Sequence, residues 1–384
     1  MNADASTAHE TMTWLPAIQR YASVSDMRDA LAARHPTLAP GRLRELAIVG
    51  AAGEGRRLAA LCEEHAIAVR AVADDDPAKQ GMRIASAAVV PTAGLAALDR
   101  SIPVVIASHR VLRAAAGPRR LGFANVAPFA ALQVLRPERF PPHMFYAGLL
   151  EDLFAHRARY AALAARLYDD GSRAVLDAVL GFRLTLDAEL LRAVVDESLY
   201  FAAGLLTYGP GTVYVDAGAF DGDSIRAFID RAGGRFGRVL AFEPDPATFR
   251  RLAENFADES RVQAFPMGLH RQGGVLHFMS DASRGARLVD QGGAPVPVAA
   301  LDDVLQGGPV DVVKMNIEGA EIDALVGAAA SIRRWAPALL IATYHRPSDL
   351  WRVPETVEEI RSGYRLFLRQ HDGGIIETVL YALP

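Results

Sequence analysis

Cysteine is almost missing from the sequence. Cys62 stands alone among 384 residues, which excludes an internal disulfide and a thiolate-based metal cluster. Apolar runs of membrane-spanning length are missing too, and the polar, acidic first residues lack the basic and apolar parts of a signal peptide. The net charge is −4, so nothing electrostatic favours nucleic acid as the main partner. These absences predict a soluble cytoplasmic protein without a membrane span, with Cys62 in its core.

Apolar residues and alternating strand and helix patterns are what the sequence has instead. Hydrophobic residues make up 51%, and 384 residues are enough for two or three domains. Strands that alternate with helices indicate an α/β fold with doubly wound, largely parallel sheets. We predict a helical segment over 1–40, a Rossmann-like α/β domain over 41–135, a helical connector over 136–207 and a larger α/β domain over 208–384. In the larger domain a tight connection makes the last of seven strands antiparallel, at the end of the sheet.

Glycines and acidic residues share the turn after the first strand of the larger domain, in the sequence VDAGAFDGDS. Doubly wound sheets bind ligands at the carboxyl ends of their strands, but a carboxylate at Asp216 would repel a pyrophosphate there. It suits a ligand with an ammonium or sulfonium group, which Gly218 and Gly222 would let approach the backbone. Asp223 is equally well explained as a helix N-cap. The cofactor residues predicted in this turn are Asp216, Gly218, Ala219, Phe220 and Gly222.

The second strand of this domain ends in the sequence AFEPD, which places Glu243 beside the glycine turn. An acidic side chain at this position accepts hydrogen bonds from both hydroxyls of a ribose. A ribose and a cation without a phosphate describe S-adenosylmethionine. We therefore predict that Glu243 and Pro244 belong to the same cofactor site, and the alternative is that Asp216 and Glu243 are ordinary strand-end acids.

Several stretches in order resemble FkbM-like S-adenosylmethionine-dependent methyltransferases, among them VDAGAFDGDSIRAF, VLAFEPDPATFRRLAENF and VVKMNIEGAEIDALVGA. The resemblance covers roughly 167–383 and implies a class I methyltransferase fold with O-methylation, commonly of a sugar or polyketide-type hydroxyl. Asp216, Gly218 and Gly222 match the family's first motif, and Glu243 matches its ribose-binding acid.

The fourth strand of the larger domain carries the family signature K-x-D-x-E-G-x-E, matched by Lys314, Glu318, Gly319 and Glu321. Asn316 departs from it, because this position is usually Asp, which argues against a base or a sole metal-binding carboxylate there. An amide oxygen can still orient a hydroxyl or bind a hard cation weakly. In such a fold this strand tip faces the transferred methyl group, although either glutamate could equally serve the helix dipole. The candidates for contact with the acceptor are Lys314, Asn316, Glu318 and Glu321.

The fifth strand ends in YHRP, so His345 lies at the same edge of the sheet. A neutral imidazole is a suitable general base for an alcohol acceptor, with Glu318 as the second candidate. The alternative for His345 is a structural histidine bonded to a nearby loop. Tyr344 and Trp351 are predicted to form a wall on which a sugar stacks, with core packing as the alternative.

The smaller α/β domain has its own glycine turn in LAIVGAAGEGRRLAAL, with Gly50, Gly53 and Gly55, and Asp74 at the end of its second strand. It resembles the small nucleotide-sugar-binding domain that precedes some bacterial sugar acetyltransferases, and also half of a dinucleotide site. A degenerate scaffold, a nucleotide-sugar site and an NAD site are all compatible with this single glycine pattern.

Three functions follow from these patterns. The first is an S-adenosylmethionine-dependent O-methyltransferase acting on a sugar, glycan or similar small molecule. The second is an NAD-dependent oxidoreductase or nucleotide-sugar-binding protein that uses the smaller domain, and the third is a non-catalytic binding protein in which Asn316 marks lost activity. No metal ligands are assigned, a divalent metal is left open, and the additional α/β domain is compatible with a homodimer.

Overall fold

Two short helices begin the part of the chain that the structure describes. This computed structural model describes residues 12–39, 41–281, 285–289 and 294–384, so residues 1–11 and 40 of the predicted helical segment lie outside the described residues. The helices are α1 (Trp14–Gln19) and α2 (Val24–Arg34), and the Asp26 N–H donates to the Ser23 hydroxyl at 3.1 Å to cap α2. No described helix combines the length and the apolar character needed to cross a bilayer.

The smaller α/β domain contains six strands: β1 (Glu45–Val49), β2 (Ala68–Ala73), β3 (Arg83–Ile84), β4 (Ala87–Val90), β5 (Val104–Ile106) and β6 (Val126–Pro128). They form a sheet in the order β3-β4-β2-β1-β5-β6, in which β3 and β4 pair antiparallel and the other neighbours pair parallel. Helices α3 (Gly53–Glu64) and α4 (Val111–Arg120) follow β1 and β5. Because β1 lies between β2 and β5, the strand order reverses at β1. Doubly wound sheets bind ligands at the carboxyl ends of the strands next to such a reversal.

The connector packs between the two domains as part of a common core. Helix α5 (Phe129–Leu135) directly precedes it, and its own helices are α6 (Leu149–Ala155), α7 (Arg157–Arg166) and α8 (Asp170–Thr185). On α8, the buried Arg183 donates to the carbonyl of Pro347 at 2.6 Å, and the Ser172 hydroxyl accepts the N–H of Leu368 at 2.9 Å. One continuous apolar cluster includes residues of both domains and of these helices.

The larger domain contains two sheets. Its strands are β7 (Val213–Ala217), β8 (Arg238–Phe242), β9 (Val262–Phe265), β10 (Gly268–Leu269), β11 (Gly274–Asp281), β12 (Gly285–Val289), β13 (Ala294–Ala299), β14 (Val312–Met315), β15 (Ala338–Ala342), β16 (Arg365–Gln370) and β17 (Thr378–Leu383). Seven form a sheet in the order β16-β17-β15-β14-β7-β8-β9, and the other four form a sheet in the order β10-β13-β11-β12. Its helices are α9 (Asp223–Arg231), α10 (Pro246–Asn255), α11 (Leu301–Leu305), α12 (Glu321–Gly327), α13 (Ala329–Trp335) and α14 (Asp349–Ile360).

The predicted α/β class, the seven-stranded sheet and its antiparallel last strand are confirmed. The position of that strand differs from the prediction, because β17 lies between β15 and β16 rather than at the end of the sheet. The sequence RVQAFPMGL over 261–269 predicts a single strand, but it divides into β9 and β10 of separate sheets. The strands β3, β4 and β6 and the four-stranded sheet as such were not predicted.

Two helix boundaries in the larger domain also differ from the prediction. The sequence EIDALVGAAASIRRWA predicts one helix over 321–336, which divides into α12 and α13 at Ala328. The sequence PETVEEIRSG predicts a helix that begins at Pro354, but α14 begins at Asp349. On α14, the side chains of Leu350, Val353 and Val357 are fully buried. Their burial outweighs the hydrogen bond that Pro354 removes from the helix.

Candidate active site

A cavity of about 690 Å³ lies at the carboxyl ends of β7, β8 and β14, and its volume is that of a small-molecule site. The predicted residues that line it are Gly218, Phe220, Glu243, Pro244, Lys314, Asn316 and Glu318. The predicted residues outside its lining are Asp216, Ala219, Gly222, Glu321, Tyr344, His345 and Trp351. The sequence-based prediction missed lining residues from distant segments, among them Tyr200, Leu269 and Glu377.

Asp216 and Lys314 form a buried ion pair beneath the cavity. The two residues are direct partners on the adjacent strands β7 and β14, and Lys314 Nζ lies 2.8 Å from Asp216 Oδ1. The second carboxylate oxygen of Asp216 accepts the hydroxyl of Ser224 at 2.6 Å, and Lys314 also donates to the carbonyl of Gly218 at 2.7 Å. The cation that faces Asp216 is therefore Lys314 of the protein itself, and not the predicted ligand ammonium or sulfonium group.

The glycines of the turn are required by the packing of the protein itself. Gly218 has φ +76°, and a Cβ atom there would lie 2.0 Å from the carbonyl oxygen of Asn316. Gly222 has φ +88°, and a Cβ atom there would lie 2.1 Å from the ring of Phe256. Gly222 also takes the N-cap position of α9, so Asp223 is the first residue of that helix and lines the cavity.

Glu243 is a buried carboxylate that still faces the cavity. It is 7% exposed, and its two oxygens accept the N–H groups of Phe220 at 3.0 Å and Asp245 at 2.9 Å. Burial raises the pKa of Glu243, and these two N–H groups oppose that rise. Because a carboxylate can accept about four hydrogen bonds, Glu243 retains acceptor capacity for a pair of ligand hydroxyls.

His345 lies below the floor of the cavity in a cluster of carboxylates. Its side chain is fully buried, with Nδ1 2.9 Å from Glu321 Oε1 and Nε2 3.7 Å from Glu318 Oε2. Burial alone would lower the pKa of this imidazole, but Glu321 and Glu318 outweigh that effect and raise the pKa to about 9. His345 is thus protonated at neutral pH and out of the cavity, which favours the structural alternative over the predicted general base.

The same cluster shows which residues could hold a cation. Donor atoms of Glu321, His345 and Asp349 lie within 4.8 Å of one another, and all three residues are buried. Burial opposes ionisation of Glu321, but His345 and the N–H of Ile317 hold the pKa of Glu321 below its ordinary value. The protonated imidazole already supplies the positive charge that these carboxylates need, so we interpret the cluster as an ion-pair network.

Tyr344 and Trp351 do not form the predicted wall of the cavity. The Tyr344 hydroxyl donates to Asn316 Oδ1 at 3.1 Å, so Tyr344 lies behind Asn316. Trp351 packs against the connector, where its ring lies 4.6 Å from the ring of His156 and its Nε1–H donates to Asp152 at 3.2 Å. The core-packing alternative therefore describes both aromatic residues, and Asn316 carries the polar group that faces the cavity.

In the smaller domain, the glycine turn is closed by the protein's own groups. Gly50 has φ +107° and approaches the carbonyl of Ala107, where a Cβ atom would lie 2.8 Å from the oxygen. The N–H of Ala51 donates to Asp74 at 2.8 Å, and Lys79 lies 3.2 Å from the same carboxylate oxygen. The backbone amide that a phosphate would need is therefore already occupied.

The ligand edge of the smaller sheet is also covered by the larger domain. The N–H of Leu112 donates to the carbonyl of Gly373 at 2.7 Å, and Gly374 fits so closely that a Cβ atom would lie 1.8 Å from the carbonyl oxygen of His109. A cavity at this edge, bordered by Glu54, His109 and Tyr146, measures about 10 Å³, the size of a single water. This geometry favours the scaffold alternative over a nucleotide-sugar or NAD site at Gly50, Gly53, Gly55 and Asp74.

Comparison with known proteins supports a methyltransferase. Residues 216–372 match the family model of the methyltransferase FkbM domain, so the chain carries an FkbM methyltransferase domain in its C-terminal part. The structure of methyltransferase FkbM from Methylobacillus flagellatus KT is similar with a TM-score of 0.71 at 24% identity. That match covers 94% of this chain and 100% of the other, and it shows that the fold is shared over nearly the whole chain.

A curated relative resembles a shorter part of the chain. The hexuronic acid methyltransferase AglP of Haloferax volcanii is 34% identical over an alignment of 97 residues that covers 23% of this chain and 40% of AglP. The match thus spans well under half of that relative.

Proposed function

We propose that the protein transfers a methyl group from S-adenosylmethionine to a hydroxyl group of a sugar, a glycan or a similar small metabolite. One observation carries the proposal: in a methyltransferase domain, a cavity of about 690 Å³ joins a glycine turn to a buried strand-end carboxylate, Glu243. The partial similarity to a hexuronic acid methyltransferase supports a sugar acceptor.

The lining of the cavity fits the proposed cofactor. Glu243 would accept hydrogen bonds from the two ribose hydroxyls, because its oxygens have acceptor capacity beyond the two backbone N–H groups. Phe220 is 53% exposed, so its ring offers an apolar surface for a flat heterocycle. Gly218 leaves the backbone of the turn accessible from the cavity, while Lys314 fixes the turn from below.

The chain would contribute alignment to the reaction. When bound, S-adenosylmethionine supplies an electrophilic methyl group on a sulfonium sulfur. The hydroxyl of Tyr344 fixes the amide oxygen of Asn316, so the amide hydrogens can donate to an acceptor oxygen. Holding two reactants in line is worth several kcal/mol, which is the main contribution expected of this site.

The two other functions have less support from the geometry. An oxidoreductase or nucleotide-sugar-binding protein needs an open edge on the smaller sheet, and that edge is covered by Gly373 and Gly374. A non-catalytic binding protein would use the same cavity, so the formation of a methylated product separates it from a methyltransferase.

Titration calorimetry with S-adenosylmethionine, NAD and UDP-glucuronic acid tests the proposal. We expect binding of S-adenosylmethionine and at least tenfold weaker binding by Glu243→Ala, because one good hydrogen-bonded contact is worth about 1.4 kcal/mol or more. Glu254→Ala is the matched control, since Glu254 is an exposed glutamate on α10. Binding of NAD alone, or equal affinity in Glu243→Ala, contradicts the proposal. Mass spectrometry of products from a panel of uronic acid sugars then identifies the acceptor.

A further inference from the structure

Glu377 is a carboxylate of the cavity that the sequence-based prediction did not assign. It precedes β17, and it lies outside the residues that match the family model, 216–372. Because β17 runs antiparallel to β15, its first residues reach the same edge of the sheet as the carboxyl ends of the other strands. Glu377 therefore faces the cavity together with Lys314, Asn316 and Glu318.

The Glu377 side chain lacks the partners that a structural carboxylate has. Its Oε2 atom is buried and has no hydrogen-bond partner among the residues that the structure describes. The other carboxylates at this edge are engaged: Asp216 binds Lys314 and Ser224, and Glu321 binds His345. A buried acceptor without a partner is costly, so its retention points to a partner that arrives with a ligand.

The backbone of Glu377 is strained, and its surroundings hold the strain in place. Its φ of +65° is in the left-handed region, which a residue with a side chain seldom adopts. The amide of Gln370 donates to the carbonyls of Asp372 at 2.6 Å and Ile376 at 2.7 Å, and the N–H of His371 donates to the carbonyl of Glu377 at 2.9 Å. Strained conformations maintained by surrounding contacts concentrate at functional sites.

The smaller domain supports the same turn from the other side. Leu112 binds the carbonyl of Gly373 at 2.7 Å, and Arg110 lies 3.3 Å from the carboxylate of Asp372. Gly374 lies against the carbonyl of His109 without room for a side chain. The smaller domain thus contributes to the site as a support that fixes the position of Glu377.

We propose that Glu377 is the general base that removes the proton from the acceptor hydroxyl. This inference rests on the proposed function. As the acceptor oxygen forms its bond to the methyl carbon, its proton moves to a carboxylate oxygen of Glu377. The carbon–sulfur bond breaks at the same time, and its electron pair stays on sulfur, so the sulfonium becomes a neutral thioether.

The charges around Glu377 suit this role near neutral pH. Burial raises the pKa of Glu377 to about 7, against the opposing effects of His345 and Lys314. A base is most effective when its pKa lies near the working pH. Burial raises the pKa of Glu318 as well, but His345 opposes that rise. Glu318 is less suitable than Glu377 because its side chain is 40% exposed and already faces His345 at 3.7 Å. The titratable groups that act electrostatically on Glu377 or are affected by it are Lys314 on β14, Tyr344 and His345 after β15, Tyr200 before β7, Asp372 in the turn and Arg110 before α4.

The variant Glu377→Gln tests the inference, because an amide of the same shape cannot take the proton. We expect kcat on a uronic acid sugar methylated by the wild type to fall about 100-fold or more, while the affinity for S-adenosylmethionine stays within about twofold. The wild-type rate should rise with pH up to about 7 and then level, and the residual rate of the variant should lack that rise. Glu254→Gln, an exposed glutamate on α10, is the matched control and should keep the wild-type rate. Glu318→Gln tests the competing base, and a loss as large as that of Glu377→Gln would contradict the inference.

The possible failures can be told apart. If the wild type does not bind S-adenosylmethionine, the proposed function is wrong and the inference falls with it. If the wild type binds and methylates while Glu377→Gln keeps more than about a tenth of the activity, Glu377 is not the base. NMR of ¹³C-labelled carboxyl groups gives a readout that needs no acceptor. A resonance titrating near pH 7 that is missing in Glu377→Gln supports the inference, and titration of that carboxyl near its ordinary value, about 4.3, overturns it.

Discussion

In both α/β domains, the turn after the first strand contains a glycine with positive φ, +107° at Gly50 and +76° at Gly218. In both, an acidic residue that follows the second strand accepts an N–H group of that turn, Asp74 from Ala51 and Glu243 from Phe220. The two turns differ in what lies above them. Beside the first turn, a cavity bordered by Glu54 measures about 10 Å³, whereas the cavity bordered by Gly218 and Phe220 of the second turn measures about 690 Å³.

The difference comes from the packing of the whole chain rather than from the turns. The turn between β16 and β17 covers the edge of the smaller sheet and at its other end presents Glu377 to the larger cavity. A glycine turn with a strand-end acid therefore marks where a ligand could bind in a doubly wound sheet. Whether the edge is open depends on segments that are remote in sequence.

The largest difference in stability is expected for the lysine that pairs with an acidic residue beside each turn, Lys314 with Asp216 and Lys79 with Asp74. Lys314→Met leaves Asp216 buried without its cation, and both side chains are at most 3% exposed, so we expect a loss of about 3–5 kcal/mol in the free energy of unfolding. Lys79→Met is the matched variant in the smaller domain, where the lysine is 32% exposed and a loss of about 0–1 kcal/mol is expected. Urea denaturation measures both. Equal losses would show that the Asp216 pair is not the structural element we infer.

A second difference concerns two histidines that each lie three residues after a strand, His109 after β5 and His345 after β15. Burial lowers the pKa of His109 to about 4, and Arg57 adds to that effect, so this imidazole is neutral at pH 7 and above. The pKa of His345 is raised to about 9 by Glu321 and Glu318 despite its burial. Because this folded-state pKa lies above the unfolded value, the stabilising effect is complete below about pH 6.5 and is lost as the pH rises through about 9.

The pH dependence of thermal unfolding tests this contrast between the histidines. Between pH 7 and pH 9.5, we expect the melting temperature of the wild type to fall by several degrees, on the order of 5 °C. His345→Gln should flatten this slope, and His109→Gln should leave it unchanged. A wild-type melting temperature that is constant over this range would mean that His345 is not the protonated centre of the cluster.

Much of the larger domain could be predicted from the sequence. The alternation of strands and helices gives the seven-stranded sheet, and the acid after the second strand gives Glu243 as a lining residue. The pairing of Asp216 with Lys314 could not be derived in the same way, because the partners are 98 residues apart and their contact depends on the register of β14 beside β7. A charged residue of each sign at the ends of neighbouring strands is a signal that could have found it.

Glu377 and the covered edge of the smaller sheet show a second limit on what can be predicted from the sequence. A hairpin between the last two strands is predictable, and an antiparallel strand must start at the edge where its parallel neighbours end. That argument would have placed Glu377 at the cavity. The contact of Gly373 and Gly374 with the smaller domain depends on how the connector packs the two sheets together, which the pattern of a single sequence does not encode.

The smallest effect is expected at Trp351, which tests whether the connector side of α14 is separate from the cavity. Trp351→Phe removes the hydrogen bond to Asp152, now 3.2 Å long, and keeps most of the buried ring. We expect a loss of about 1 kcal/mol in the free energy of unfolding and a change of less than about twofold in the acceptor KM. Because the ring of Trp351 packs against the ring of His156 in the connector and Trp351 does not line the cavity, the mutation should change stability more than acceptor binding. A tenfold rise in acceptor KM at unchanged stability would show that Trp351 contacts the acceptor. Helix α14 would then belong to the binding site at the open edge of the larger sheet.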